Sequence, residues 1–131
     1  MYTLTLIFDK NANNILLCNH VKKGIVNAIG GKVEEFEFPA DASYRELEEE
    51  TGIKREDVDL RFLMQENVTM WNGNCWSIYI TAGVLKRNVE VVEEDNPLFW
   101  WDVNDAEFLS LAGYEGDLLV YILRARKLLQ I

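Results

Sequence analysis

One histidine, two cysteines, two prolines and 13 cationic side chains are all that this chain of 131 residues contains of those types. Each scarcity closes off a class of function. With His20 alone, no multi-histidine zinc centre can be assembled within one chain. Cys18 and Cys75 lack metal-ligand spacing and read as buried thiols of a protein kept in a reducing compartment. No apolar run approaches the 18 residues of a membrane span, and Met1 is not followed by a charged-then-apolar leader. A soluble, cytoplasmic protein is expected. The 13 Lys and Arg stand against 22 Asp and Glu, a net charge of −9, which excludes an extended nucleic-acid surface because phosphate backbones are held mainly by cations. The length suits a single domain over residues 1–131, with no internal repeat or linker.

What the chain has in excess is carboxylate, concentrated in the stretch Gly30–Ile53, GGKVEEFEFPADASYRELEEETGI. Pro39 suits the first turn of a helix and Gly52 its left-handed end, although Phe38 cannot serve as a side-chain cap. At about 100° per residue, Glu46, Glu49 and Glu50 fall on one arc of that helix and Glu48 on the far side. Like charges so placed repel, and a hard divalent cation is the natural compensation. Arg45, one turn before Glu49, is positioned to hold that carboxylate. Ala42 and Ser43 on the acidic arc leave room for a ligand, while Ala40, Tyr44 and Leu47 form a narrow stripe expected to pack on a sheet.

Five residues separate Gly31 from Glu37 and seven more precede Arg45-Glu46, after which the string closes Leu47-Glu48-Glu49-Glu50-Thr51-Gly52-Ile53. This spacing resembles the Nudix box, the signature of hydrolases acting on nucleoside diphosphates linked to another group, with every fixed position filled. Two departures stand out: Glu35-Phe36 where many members have Pro-Gly, and Phe38 where they have a capping Ser or Thr. The resemblance implies an α/β Nudix fold, a mixed β-sheet sandwiched between helices (α/β/α). It further implies Mg²⁺, or Mn²⁺ in its place, held by Glu46, Glu49 and Glu50 with the Gly30 carbonyl, and Glu46 or Glu50 as general base. Arg45 would orient the cluster, Glu37 would bind metal or hold the loop, and Gly31 and Lys32 would attend the phosphates. Relatives also draw an acidic residue from a later loop; of Glu93, Glu94 and Asp95, Glu94 is favoured here for metal or base assistance.

The remaining chain reads as strands at 3–8, 15–18, 25–29, 60–71, 75–81 and 98–103, with a closing helix over 116–130. The segment 25–29 delivers the chain into what reads as a Gly30-Gly31 turn. Trp71, Trp76, Tyr79, Trp100 and Trp101 offer faces on which a base can stack, although strand aromatics usually belong to the core. Asn27, on an otherwise apolar strand, can present donor and acceptor to a purine edge or bond to backbone. Together with Tyr2-Thr3-Leu4, its segment resembles enzymes of the family that remove oxidised purine nucleotides, and Tyr114 and Asp117 are similar in placement to base contacts there. The expected activity is cleavage of a nucleoside triphosphate such as 8-oxo-dGTP to monophosphate and pyrophosphate, by a monomer or weak dimer with a small nucleotide as its partner. Two alternatives stay open: a pyrophosphatase for ADP-ribose or a dinucleoside polyphosphate, and a nucleotide-sensing module without turnover.

Overall fold

The computed structural model describes residues 1–22, 24–69, 72–105 and 118–131. Seven strands, β1 (Tyr2–Phe8), β2 (Asn14–His20), β3 (Ile25–Asn27), β4 (Ile29–Lys32), β5 (Arg61–Thr69), β6 (Cys75–Val84) and β7 (Leu98–Asp102), form one sheet with helices α1 (Pro39–Thr51) and α2 (Leu118–Leu129). The order is β3-β2-β1-β6-β5, with β4 added to β1 and β7 to β2. β1 runs parallel to β6 and antiparallel to β2 and β4, so the sheet is mixed as expected.

Alternation along β1 and β2 shows why both faces need cover. Leu4, Leu6, Phe8, Ile15 and Leu17 point into one core with Leu118, Tyr121, Ile122 and Ala125 of α2. Ile7, Leu16 and Cys18 point into the other with Leu47 of α1, Ile53 and Val58. Each fully buried Leu or Ile contributes roughly 1.5–3 kcal/mol, and a strand apolar on both faces can only lie between two layers. The expected α/β/α layering is thus observed. No helix among the described residues is long and apolar enough to cross a membrane.

Four expectations are corrected. The segment 25–29 is two strands rather than one, and Gly30-Gly31 is no turn: both glycines lie within β4, opposite Leu4 and Thr3 of β1. The chain turns later, around Glu35 and Phe36, where Phe36 adopts φ 63° in the left-handed region that favours glycine. α1 buries Ala42, Ser43, Leu47 and Thr51, while Ala40 is exposed. The true packing face is therefore rotated toward the carboxylates and passes under Glu46. Finally, Cys18 is buried but Cys75 is exposed at the start of β6. Gly52 ends α1 at φ 78°, its N–H donating to the Glu48 carbonyl, and Phe38 makes no side-chain cap, both as read from the sequence.

Candidate active site

Arg45 is the centre of the acidic network. Its Nε and Nη2 donate to the two oxygens of Glu37 at 2.7 and 2.9 Å, a bidentate fork of the strong, charge-assisted kind. Nη1 donates to Glu46 Oε1 at 2.9 Å and Glu49 Oε2 at 3.1 Å, and Nη2 also to the Lys32 carbonyl at 3.0 Å. One guanidinium thereby joins the helix, the end of β4 and the loop between them. Glu37 further accepts from the Glu34 N–H at 3.1 Å, and its carboxyl is held below its ordinary value first by the Arg45 hydrogen bonds and then by the Glu34 backbone. Glu37 therefore serves as the anchor of the loop. The sequence placed Arg45 against Glu49; that contact exists, and Glu37 takes the larger share.

Glu46 and Glu50 have the opposite electrostatics. Burial lifts the Glu46 carboxyl above its ordinary value, opposed by Arg45. Burial also raises Glu50, to which Glu46, Asp95, Glu49 and Glu94 add by repulsion. The charge of Glu50 also helps burial push the Cys18 thiol up to about 11. The Val92 N–H donates to the Thr51 carbonyl at 2.9 Å, which ties the start of the 93–95 loop to the end of α1, and both Asp95 and Glu94 act on Glu50. Glu93 is occupied elsewhere, its Oε1 accepting from the Leu98 N–H at 3.0 Å to fix the start of β7.

As the side chains stand, no three His, Cys, Asp or Glu groups among the described residues are grouped to hold an ion. The donor chemistry nevertheless fits a hard cation. Arg45 takes one oxygen each of Glu46 and Glu49, and Glu50, raised by burial and then by its acidic neighbours, has no cationic partner among the described residues, a donor set that suits a divalent cation.

On the other side of β4 lies a cavity of about 220 Å³ lined by Tyr2, Asn27, Gly30, Gly31, Trp76 and Tyr121, among others. Tyr2 and Trp76 stack at 4.7 Å between ring centroids, 26° apart, as an aromatic wall. Asn27 is buried, and its carbonyl oxygen accepts from the Ala28 N–H at 2.8 Å. One of the two lone pairs of that oxygen is thereby used by backbone, while the amide nitrogen makes no hydrogen bond among the described residues. Gly31 joins the two halves: it lines the cavity, and a Cβ at this position would fall inside the Glu46 carboxyl. Lys32 is exposed and makes no ion pair among the described residues.

Of the expected site residues, Gly31, Lys32, Glu37, Arg45, Glu46 and Glu49 come together directly, Glu50 and Glu94 join them electrostatically, and Gly30, Asn27 and Trp76 meet at the cavity. Trp71, Tyr114 and Asp117 lie outside the described residues. Sequence reasoning did not single out Tyr2 or Tyr121 as pocket walls from the residues themselves. Their signal is the β1–β6 register and the packing of α2, both long-range.

A family model described as the NUDIX domain matches residues 3–121. A curated relative from Bacillus subtilis (strain 168), an uncharacterized Nudix hydrolase, is 29% identical over 121 residues, covering 89% of this chain and 76% of the relative. A solved Ap4A hydrolase from C. elegans superposes with a TM-score of 0.81 at 16% identity over 98% of this chain and 96% of its own. A MutT protein from Bacillus halodurans gives 0.74 at 23% identity over 92% and 78%.

Proposed function

This chain belongs to the Nudix hydrolase family, and from that premise we propose that it cleaves a purine nucleoside triphosphate to the monophosphate and pyrophosphate, with an oxidised ring such as that of 8-oxo-dGTP as its base. The observation that carries this reading is the continuity across Gly31 between an aromatic cavity and a carboxylate cluster. A base stacked on the Tyr2–Trp76 wall puts its polyphosphate over the bare Gly30-Gly31 backbone of β4, toward Glu46. The Asn27 amide nitrogen donates to a carbonyl of the ring.

Glu46, Glu49 and Glu50, with Glu94 or Asp95 and the Gly30 carbonyl, would hold Mg²⁺. That ion, when bound, neutralises polyphosphate charge and lowers the pKa of water. The chain's own groups do the rest. Arg45, locked by Glu37, fixes Glu46 and Glu49 so that the cluster is ordered before substrate arrives. Glu50, the carboxylate of the helical trio that Arg45 does not engage, accepts the proton of the attacking water as its oxygen adds to phosphorus, and pyrophosphate leaves. Lys32 meets the phosphate charge from β4.

The test is product analysis with a panel of 8-oxo-dGTP, ordinary dNTPs, ADP-ribose and diadenosine polyphosphates, with and without Mg²⁺. Metal-dependent pyrophosphate release, fastest from 8-oxo-dGTP, is expected. Faster turnover of ADP-ribose or a diadenosine polyphosphate would keep the carboxylate chemistry and overturn the base assignment. Nucleotide binding without turnover would overturn the hydrolytic role itself.

A further inference from the structure

At the margin of the cavity stands a pair that the hydrolytic chemistry leaves unused: Tyr121, which lines it, and Glu66, which does not. Glu66 on β5 lies directly opposite Ile78 of β6, so the two side chains share the sheet face that lines the cavity. Tyr121 of α2, a wall of the same cavity, donates a hydrogen bond from its hydroxyl to Glu66 Oε2. Glu66 is half-buried beside apolar neighbours, and its second oxygen, Oε1, makes no hydrogen bond or ion pair among the described residues. A neutral glutamine would tie α2 to the sheet equally well, so the Tyr121 bond by itself does not call for a carboxylate. Its chemistry suits a ligand that brings N–H donors.

Asn27 supplies the complementary polarity. Its carbonyl already accepts the Ala28 N–H, and its amide nitrogen is free to donate. The cavity thus presents a donor at Asn27, and the Glu66 carboxylate stands at its margin behind Ile78 and Tyr121. Guanine-type rings carry a carbonyl beside two adjacent donors, N1–H and the N2 amino group. Adenine sets its one amino group beside a bare ring nitrogen, which a carboxylate repels.

Resting on the nucleotide-hydrolase reading, we propose that Glu66 determines base specificity: its carboxylate, positioned by Tyr121, accepts from the N1–H and N2 amino group of a guanine-type ring. Tyr121 acts here as a positioning residue.

The experiment compares wild type, Glu66→Gln and Tyr121→Phe in two readouts, metal-free calorimetric binding of GMP and AMP, and kcat and KM for GTP and ATP with Mg²⁺. Wild type is expected to favour guanine by about tenfold or more in both, the discrimination typical of a bidentate base contact. Glu66→Gln still accepts the Tyr121 bond, so its Tm should hold while the guanine preference collapses toward unity through KM. Tyr121→Phe should raise KM for GTP several-fold and leave kcat in place. An unchanged GMP:AMP ratio in Glu66→Gln overturns the assignment, as does a wild type without preference. Selective GMP binding lost in Glu66→Gln, with no turnover of any nucleotide, would uphold Glu66 and reject the hydrolase reading; turnover with selectivity unchanged in Glu66→Gln would do the reverse. If Glu66→Gln fails to fold, a Tyr121→Phe variant with wild-type KM for GTP also overturns the assignment.

Discussion

Replacing Gly31 by alanine would put a methyl group where the Glu46 carboxyl now lies. The obstructing group is the far end of a flexible side chain, so Glu46 yields by leaving its rotamer, at roughly 0.5–1.5 kcal/mol. It also gives up the 2.9 Å bond from Arg45, which keeps its fork on Glu37. Removing a glycine from the unfolded chain returns about 0.4–1 kcal/mol, and the net loss should be near 1 kcal/mol. At about 3–5 °C per kcal/mol for a chain of this size, Tm falls by less than about 5 °C. Activity should suffer far more, since a displacement of about 1 Å in a catalytic group can cost roughly 10²-fold. Gly30→Ala is the matched control: its methyl would meet the Thr3 carbonyl of β1, a backbone with no rotamer to change. Overpacking of that kind costs about 1–3 kcal/mol or more, which reads as a fall in Tm near 10 °C. Thermal melts and kcat/KM on the best nucleotide decide the matter. A Gly31→Ala enzyme with wild-type turnover would refute the reasoning. So would Gly31→Ala and Glu46→Gln defects that multiply in the double variant, because a methyl acting through Glu46 has nothing further to remove.

Other perturbations separate fold from chemistry. Glu50→Gln should lower kcat by about 10²–10⁴-fold, as for loss of a general base. The raised carboxyls of Glu46 and Glu50 stabilise the fold below their ordinary value of 4.5 and cease to do so as pH rises through the elevated folded-state value. Melts in chelator should therefore show Tm rising as pH is lowered from 7 toward 5, with a shallower rise in Glu50→Gln; a flat wild-type profile would contradict this. Arg45→Lys replaces the fork on Glu37 by a single ammonium and should cost about 1–2 kcal/mol in denaturant titration, with activity down by roughly 10–100-fold. Phe36→Gly relieves the left-handed backbone of a ring that is 99% exposed, and should raise Tm by several degrees, corresponding to about 1 kcal/mol. Asp57, buried and accepting the Lys54 N–H at 2.8 Å and Arg87 Nε at 2.6 Å, should cost about 2–3 kcal/mol when replaced by alanine, without altering KM.

Where the sequence was legible, the determining interactions were local. Alternation in Thr3–Phe8 and Ile15–Cys18 marks a hairpin because period two is a property of each strand alone. Pro39 and Gly52 bracket α1 for the same reason. The carboxylate spacing was equally plain, being a consequence of helical geometry. The face that α1 buries was misread because Ala42 and Ser43 are weakly apolar, and only the neighbouring sheet decides that they pack in place of Ala40. Gly30-Gly31 reads locally as a turn, yet pairing with Leu4 and Thr3, far away in sequence, draws it into a strand. Among Glu93, Glu94 and Asp95 spacing alone could not choose; the N–H of Leu98 claims Glu93, and Asp95 and Glu94 both act on Glu50. Glu66 carried no sequence signal, because its meaning depends on the register with Ile78 and the approach of Tyr121.

The most direct measurement is the initial rate and product identity for 8-oxo-dGTP against the unmodified dNTPs, with Mg²⁺ and with chelator, in the wild type and Glu50→Gln. Pyrophosphate and monophosphate formed only with metal, fastest from the oxidised purine and suppressed in the variant, is the predicted result. Turnover that survives chelation, or a Glu50→Gln enzyme as fast as the wild type, would contradict the carboxylate mechanism at its centre.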